Sequence, residues 1–317
     1  MEGRTLQLVV QRPAAPLSPP EPVRPEDAKG RYRLPARQRI AAARIRRKLC
    51  GVALLMRTIM ANGADLHVAV SGPETGPAVV FANSLGTDLR VWDGLIPHLA
   101  PGLRLVRYDK RGHGLSQETS GPYGIEMLAD DAAALISALG LGRVVFVGLS
   151  IGGLIGLSLA ARHPGLLAGL VVSNSAARIG DAAMWNARIQ AIRDEGLASI
   201  AAPTMERWFS PAFRAKGLDA PWRRMLARQP QGGYVACCQA IAGADLTDAA
   251  RALDLPVQVI AGGLDGSTPP DLVQATAALI PGARFDLIAD AAHIPCVEAP
   301  AAHAAILNRF FKDIGHV

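Results

Sequence analysis

The chain has 317 residues, half of them apolar, 19% charged and 5% aromatic, with 32 glycines and 23 prolines. That apolar share excludes a disordered chain, and the lack of a three-residue glycine period excludes collagen-like and low-complexity classes. The net charge of +6 is uneven: residues 1–57 carry 13 Lys/Arg against 4 Asp/Glu, and residues 58–317 carry 20 against 23. The basic balance therefore belongs to the N-terminal segment, and no nucleic-acid partner is expected, because a basic footprint has to sit on the folded surface that docks.

Residues 1–57 read as a disordered, basic, proline-rich extension, with Pro13, Pro16, Pro19, Pro20, Pro22, Pro25 and Pro35 in quick succession. A basic helix over 37–57 is open to two readings, a membrane-surface or transit helix and an inert extension, of which the second is favoured. The apolar stretch 50–56 follows Arg46-Arg47-Lys48 but starts too far along the chain for a signal peptide. From residue 58 short apolar strands alternate with helical stretches, the signature of a mostly parallel sheet with helices on both faces. Strands are expected at 65–70, 78–83, 103–108, 144–149, 170–174, 257–261 and 284–288. Helices are expected near 89–99, 125–139, 151–163, 271–280 and 299–312. Residues 179–250 interrupt the alternation, read as helical and contain Trp185, Trp208, Phe209 and Trp222. They are expected to form a cap, so 58–317 reads as one α/β domain with a helical cap insertion.

The uncharged run 144–161 reaches the lower length limit of a membrane span. Gly148, Ser150, Gly152 and Gly153 break its middle, so a strand–turn–helix through a protein core is expected and no membrane span. Cys50, Cys237, Cys238 and Cys296 include no CxxC pair. That pattern is neither a zinc site nor a disulfide framework, and a reducing, cytoplasmic compartment is the simplest expectation.

Gly148-Leu149-Ser150-Ile151-Gly152 matches G-x-S-x-G between an apolar strand and a helix. In that context a sharp turn lifts the serine hydroxyl to the top of the sheet beside a helix N-terminus. A serine is a poor nucleophile without a base and an orienting acid, which follow it in the order acid, then histidine. His293 follows a strand and precedes a helix; His163, His303 and His316 do not fit. Asp265 is the only acid in the loop after the 257–261 strand, with Asp286 and Asp290 as rivals. Two backbone N–H groups should receive an oxyanion: that of Ile151, and by position that of Leu85 in Asn83-Ser84-Leu85-Gly86.

Together with Tyr108-Asp109-Lys110-Arg111-Gly112-His113-Gly114, these residues resemble the α/β-hydrolase family over about residues 60–317. Within it, Asn83 to Asp88, Val91-Trp92-Asp93, Asn174 to Gly180, Trp185 and Arg207-Trp208-Phe209 are similar to the 3-oxoadipate enol-lactonase branch. Asn83-Ser84 stands where many members of the fold have His-Gly, which leaves a backbone donor in place. The resemblance implies a Ser150/His293/Asp265 triad, a small lactone substrate, no metal and no organic cofactor. Asp109 and Arg111 read as a structural turn network. The implied substrate carries a carboxylate, for which Arg178 and Arg207 are the expected cations, with Trp185 facing the pocket. Other readings stay open: a different ester or carbon–carbon bond serine hydrolase of this fold, a non-catalytic ligand receptor, and a surface-associated protein working through the basic segment.

Overall fold

The computed structural model describes residues 55–317. An eight-stranded sheet has the order β1-β2-β4-β3-β5-β6-β7-β8. Its strands are β1 (Leu55–Ala61), β2 (Ala64–Ser71), β3 (Ala78–Ala82), β4 (Arg104–Tyr108), β5 (Val144–Leu149), β6 (Leu167–Ser173), β7 (Val257–Gly262) and β8 (Arg284–Ile288). β2 runs antiparallel to β1 and β4, and all other neighbours are parallel. Every residue of β3, β5 and β7 is buried. Successive strand side chains point to opposite faces, so both faces of the central sheet are covered, as parallel strands require.

The first strand starts at Leu55, inside the segment read as an extension. It was not legible because it is an edge strand whose first four residues are exposed, so it lacks the buried alternation that marks the others. Residues 1–54, with the expected basic helix, lie outside the described residues.

Helices α1 (Ile125–Ala138), α2 (Ile151–Arg162), α9 (Pro270–Leu279), α10 (Pro295–Glu298) and α11 (Pro300–Asp313) connect or follow the strands. The helix expected near 89–99 is two short 3-10 turns, Leu89–Trp92 and Ile96–His98. Gly94 and Pro97 sit where a continuous helix would need its interior. Between β6 and β7 lie α3 (Ala182–Glu195), α4 (Ala201–Trp208), α5 (Pro211–Ala215), α6 (Ala220–Ala227), α7 (Gln231–Ala242) and α8 (Thr247–Arg251), the span expected to be a helical cap. The uncharged run 144–161 is β5, the elbow and most of α2. Among the described residues no helix is long and apolar enough to cross a membrane.

Candidate active site

Ser150 forms the turn between β5 and α2 at φ 58°, ψ −119°, a region that non-glycine residues enter only under constraint. The turn is tight because neighbours press on it. A Cβ on Gly148 would lie 2.1 Å from the Gly152 carbonyl oxygen, and one on Gly152 would lie 2.2 Å from that of Ala82. The backbone is pinned on both sides: Ser150 N donates to Ser173 O at 3.0 Å, and Ser175 Oγ donates to Ser150 O at 2.6 Å.

Asp265 lies beyond the end of β7 and His293 beyond the end of β8, both buried. His293 Nδ1 is 2.8 Å from Asp265 Oδ2 and 3.0 Å from Oδ1. The carboxylate also accepts from Ser267 N at 2.7 Å, Thr268 N at 3.0 Å, Thr268 Oγ1 at 2.8 Å and Asn174 Nδ2 at 2.9 Å. Burial pushes the Asp265 carboxyl up, but His293, the Asn174 amide and the Thr268 N–H outweigh it and hold it below the usual carboxylate range. Asp265 is thus an acceptor that fixes the imidazole tautomer with the proton on Nδ1, which leaves Nε2 as a base. The sequence gives Asn174, at φ 46°, no role beyond its place in the Asn174 to Gly180 segment, and gives Thr268 none. Asn174 Nδ2 also donates to Ala292 O at 3.1 Å, so one amide ties the acid loop to the base loop.

Ser150 and His293 line one cavity of about 290 Å³, together with Ser84, Leu85, Trp185, Arg188 and Arg207. The N–H groups of Leu85 and Ile151 donate to no other group among the described residues. For Ile151 the cause is general: the first N–H groups of a helix have no partner within it. Trp185 is held by its Nε1, which donates to Ile179 O at 2.7 Å.

The two expected arginines part company. Arg178 is exposed, lies 3.8 Å from Asp245 and is not in the cavity wall. Its closeness in sequence to the end of β6 does bring the backbone to the cavity, since Ile179 and Gly180 line it, but the Arg178 side chain is exposed to solvent beside Asp245. Arg207 does line the cavity, and Arg188, which was not singled out, stands beside it. Arg188 Nη2 donates to Tyr234 Oη at 2.6 Å and to Thr204 Oγ1 at 3.1 Å, and its Nε to Tyr234 Oη at 3.1 Å. Arg207 Nη2 reaches the same Thr204 Oγ1 at 3.5 Å. Neither arginine has a carboxylate partner among the described residues. Burial and then the like charge of Arg188 lower the Arg207 pKa, so this wall of the cavity would be relieved by an anion.

The last turn of α4 touches both loops of the pair. Gly266 N donates to Arg207 O at 3.3 Å, and His293 N donates to Trp208 O at 3.1 Å. Glu298 adds a second tie, accepting from Ser210 N at 3.1 Å and Ala292 N at 3.0 Å.

The rival residues have other partners. Asp286 pairs with Arg309 at 2.5 Å and accepts from Gln258, Asp290 is exposed in a turn, and His163 pairs with Asp130 at 2.8 Å. His303 is fully buried near Trp92. Asp109 accepts from Leu89 N and Leu115 N and bonds His67, and Arg111 pairs with Asp131 at 2.6 Å, a turn network as expected.

Residues 77–195 match the α/β hydrolase fold family. The chain is 37% identical over 259 residues to 3-oxoadipate enol-lactonase 2 of Acinetobacter baylyi, covering 80% of this chain and 97% of that protein. The crystal structure of the enol-lactonase from Burkholderia xenovorans superposes with a TM-score of 0.78 at 36% identity, over 81% of this chain and all of that one. A thermophilic esterase from Thermogutta terrifontis gives 0.77 at 27% identity, over 83% of this chain and all of that one. On this likeness and on its sheet, the chain belongs to the α/β-hydrolase family.

Proposed function

We propose that this protein opens the ring of 3-oxoadipate enol-lactone, releasing 3-oxoadipate by nucleophilic serine catalysis. The observation that carries the reading is the meeting, on one cavity, of Ser150 and the Asp265-held His293 with two arginines that lack a carboxylate partner among the described residues. The first pair can cleave an ester, and the second selects one that carries an acid. The likeness to enol-lactonases supports the same substrate.

Ser150 Oγ attacks the lactone carbonyl carbon while His293 Nε2 takes its proton, and Asp265 stabilises the imidazolium. The carbonyl oxygen becomes an oxyanion that the Leu85 and Ile151 N–H groups receive. The ring C–O bond then breaks and the oxygen leaves as an enolate, which takes the proton held on His293 Nε2 to give an enol that tautomerises to the ketone, and His293 is left neutral for the second half of the reaction. An enol is a better leaving group than an alcohol, so little acid assistance is needed. Water, deprotonated by His293, attacks the acyl-serine carbonyl, and the collapse of this second adduct frees the acid and restores Ser150. The distant carboxylate takes no part in bond changes and lies against Arg188 and Arg207.

The test is steady-state hydrolysis of 3-oxoadipate enol-lactone beside neutral p-nitrophenyl esters, with wild type and Ser150→Ala. The lactone should be favoured in kcat/KM by about 10- to 150-fold through the charge-assisted contact, and Ser150→Ala should lose about 10³-fold or more on both. A preference for the neutral ester overturns the substrate, and an active Ser150→Ala overturns the nucleophile.

A further inference from the structure

The loop carrying the Leu85 N–H is held from behind by a buried lysine. Lys110, just after β4, is 1% exposed, and its Nζ donates to Ser84 O at 2.7 Å. No carboxylate among the described residues forms an ion pair with it. Ser84 O does not need this donor: it already accepts from Thr87 N at 3.3 Å and Thr87 Oγ1 at 3.0 Å. Burying an ammonium to reach an already satisfied carbonyl is costly for the fold, and burial lowers the Lys110 pKa to about 8. A feature that the fold would do better without calls for another explanation.

Ser84 C=O and Leu85 N–H belong to one peptide unit. In a trans peptide these two bonds point in opposite directions. With the carbonyl turned to Lys110 in the interior, the N–H faces the cavity that Leu85 and Ser150 both line. A cation on the carbonyl oxygen draws electron density through the amide and makes its N–H a stronger donor, as in hydrogen-bonded chains generally. It also fixes the plane of the peptide. The next peptide is fixed too, since Gly86 N donates to His113 Nε2 at 2.9 Å. Burial, and next the Lys110 charge, keep His113 well below its ordinary pKa and therefore neutral.

We propose that Lys110 is a positioning residue whose ammonium orients and polarises the Ser84–Leu85 peptide, so that the Leu85 N–H stabilises the oxyanion formed on attack by Ser150. This rests on the serine-hydrolase reading above. It adds a group that never touches substrate yet acts on the transition state more than on the bound ground state.

The test compares the full chain with Lys110→Met and Lys110→Gln by four readouts: kcat, KM, Tm, and affinity for two ligands. One ligand is a boronic acid, which makes a tetrahedral adduct on Ser150. The other is adipate, which offers carboxylates but no tetrahedral centre. Losing a whole oxyanion donor costs about 10²- to 10³-fold. Weakening one should lower kcat and boronate affinity together by about 10-fold in Lys110→Met, and by less in Lys110→Gln, whose amide still donates. KM and adipate affinity should hold, and Tm should not fall. Unchanged kcat and boronate affinity in both variants overturn the proposal, as does an equal loss on adipate or a loss that tracks a fall in Tm. If Lys110→Met does not fold, Lys110→Gln is read by the same criteria. A wild type that cleaves neither lactone nor ester and forms no boronate adduct overturns the hydrolase reading and this proposal with it. A wild type that does these things, matched by its lysine variants, overturns this proposal alone.

Discussion

Replacing Arg188 is the sharpest perturbation of substrate choice. A guanidinium has five N–H donors in a fixed fork. In Arg188 the Nε–H and both Nη2–H groups are engaged by Tyr234 Oη and Thr204 Oγ1, which leaves the two N–H groups of Nη1 for a ligand. The engaged side holds the fork in place, so little side-chain freedom is lost on binding an anion. A charge-assisted contact is worth about 1.5–3 kcal/mol, so Arg188→Gln should lower kcat/KM on the acid lactone about 10- to 150-fold. A neutral ester of similar size should change less than about 3-fold, the scatter expected of an ordinary surface change of ±0.5 kcal/mol. Arg207→Gln should show the same split. The double variant should fall short of the product of the two losses, because both groups serve one carboxylate. Arg188→Lys keeps the charge but not the fork, and should recover only part of the activity. The assay is initial rates on both substrates for all four variants. Equal losses on charged and neutral substrates would refute the reasoning and make the arginines structural supports of Tyr234 and Thr204.

Ser150→Gly should abolish turnover and raise Tm by a few degrees in calorimetry, because strain of about 1–3 kcal/mol at the φ 58° turn is released. Lys110→Met should be more stable than wild type at pH 7 by up to about 3 kcal/mol, from the fall of its pKa from 10.5 to about 8. The sign follows from proton counting: between about 8 and 10.5 the unfolded chain binds the proton more tightly. Wild-type stability therefore rises with pH there, and the gap, full below about pH 8, should close towards pH 10.5 in denaturant titrations. The groups around this ammonium are Asp109 and His113 on its own loop, Asp88 after β3 and Cys237 on α7. Cutting the chain before Leu55 should leave kcat and Tm unchanged. Cutting after Arg57 removes the partners of Val70, Ala69 and Val68 and should lower Tm by several degrees, at about 1 kcal/mol per ladder hydrogen bond.

The central sheet was legible because its strands are buried on both faces and read as unbroken apolar runs, such as Val144–Leu149. The positions of Ser150, Asp265 and His293, the proposed triad, were legible for a related reason. Each sits where a recognisable strand ends, so chain order and loop position were enough to name them. The arginines were harder, because the helices between β6 and β7 have no such landmark. Arg188 did leave a trace: it lies three residues after Trp185, on the helix face that Trp185, Ile189 and Ile192 bury. Arg178 had only its nearness in sequence to β6. Asn174 and Lys110 were beyond reach, since their roles depend on groups distant in the chain, Asp265 in one case and Ser84 in the other.

The ties at the end of α4 bear on how this enzyme could be re-engineered. Loops and insertions above an α/β sheet look like cassettes, to be exchanged between relatives for new selectivity. Here the carbonyls of Arg207 and Trp208 accept from the backbone of the acid loop and of the base loop, and Glu298 joins Ser210 to the same base loop. A transplant of residues 182–251 that altered this turn would unseat His293 along with the cavity wall formed by Arg188 and Arg207. The portable unit is narrower: α3 carries Arg188 and Trp185 yet makes no backbone hydrogen bond to either loop, so on the proposed function a graft confined to it should change the preferred substrate while Ser150, Asp265 and His293 stay where they are.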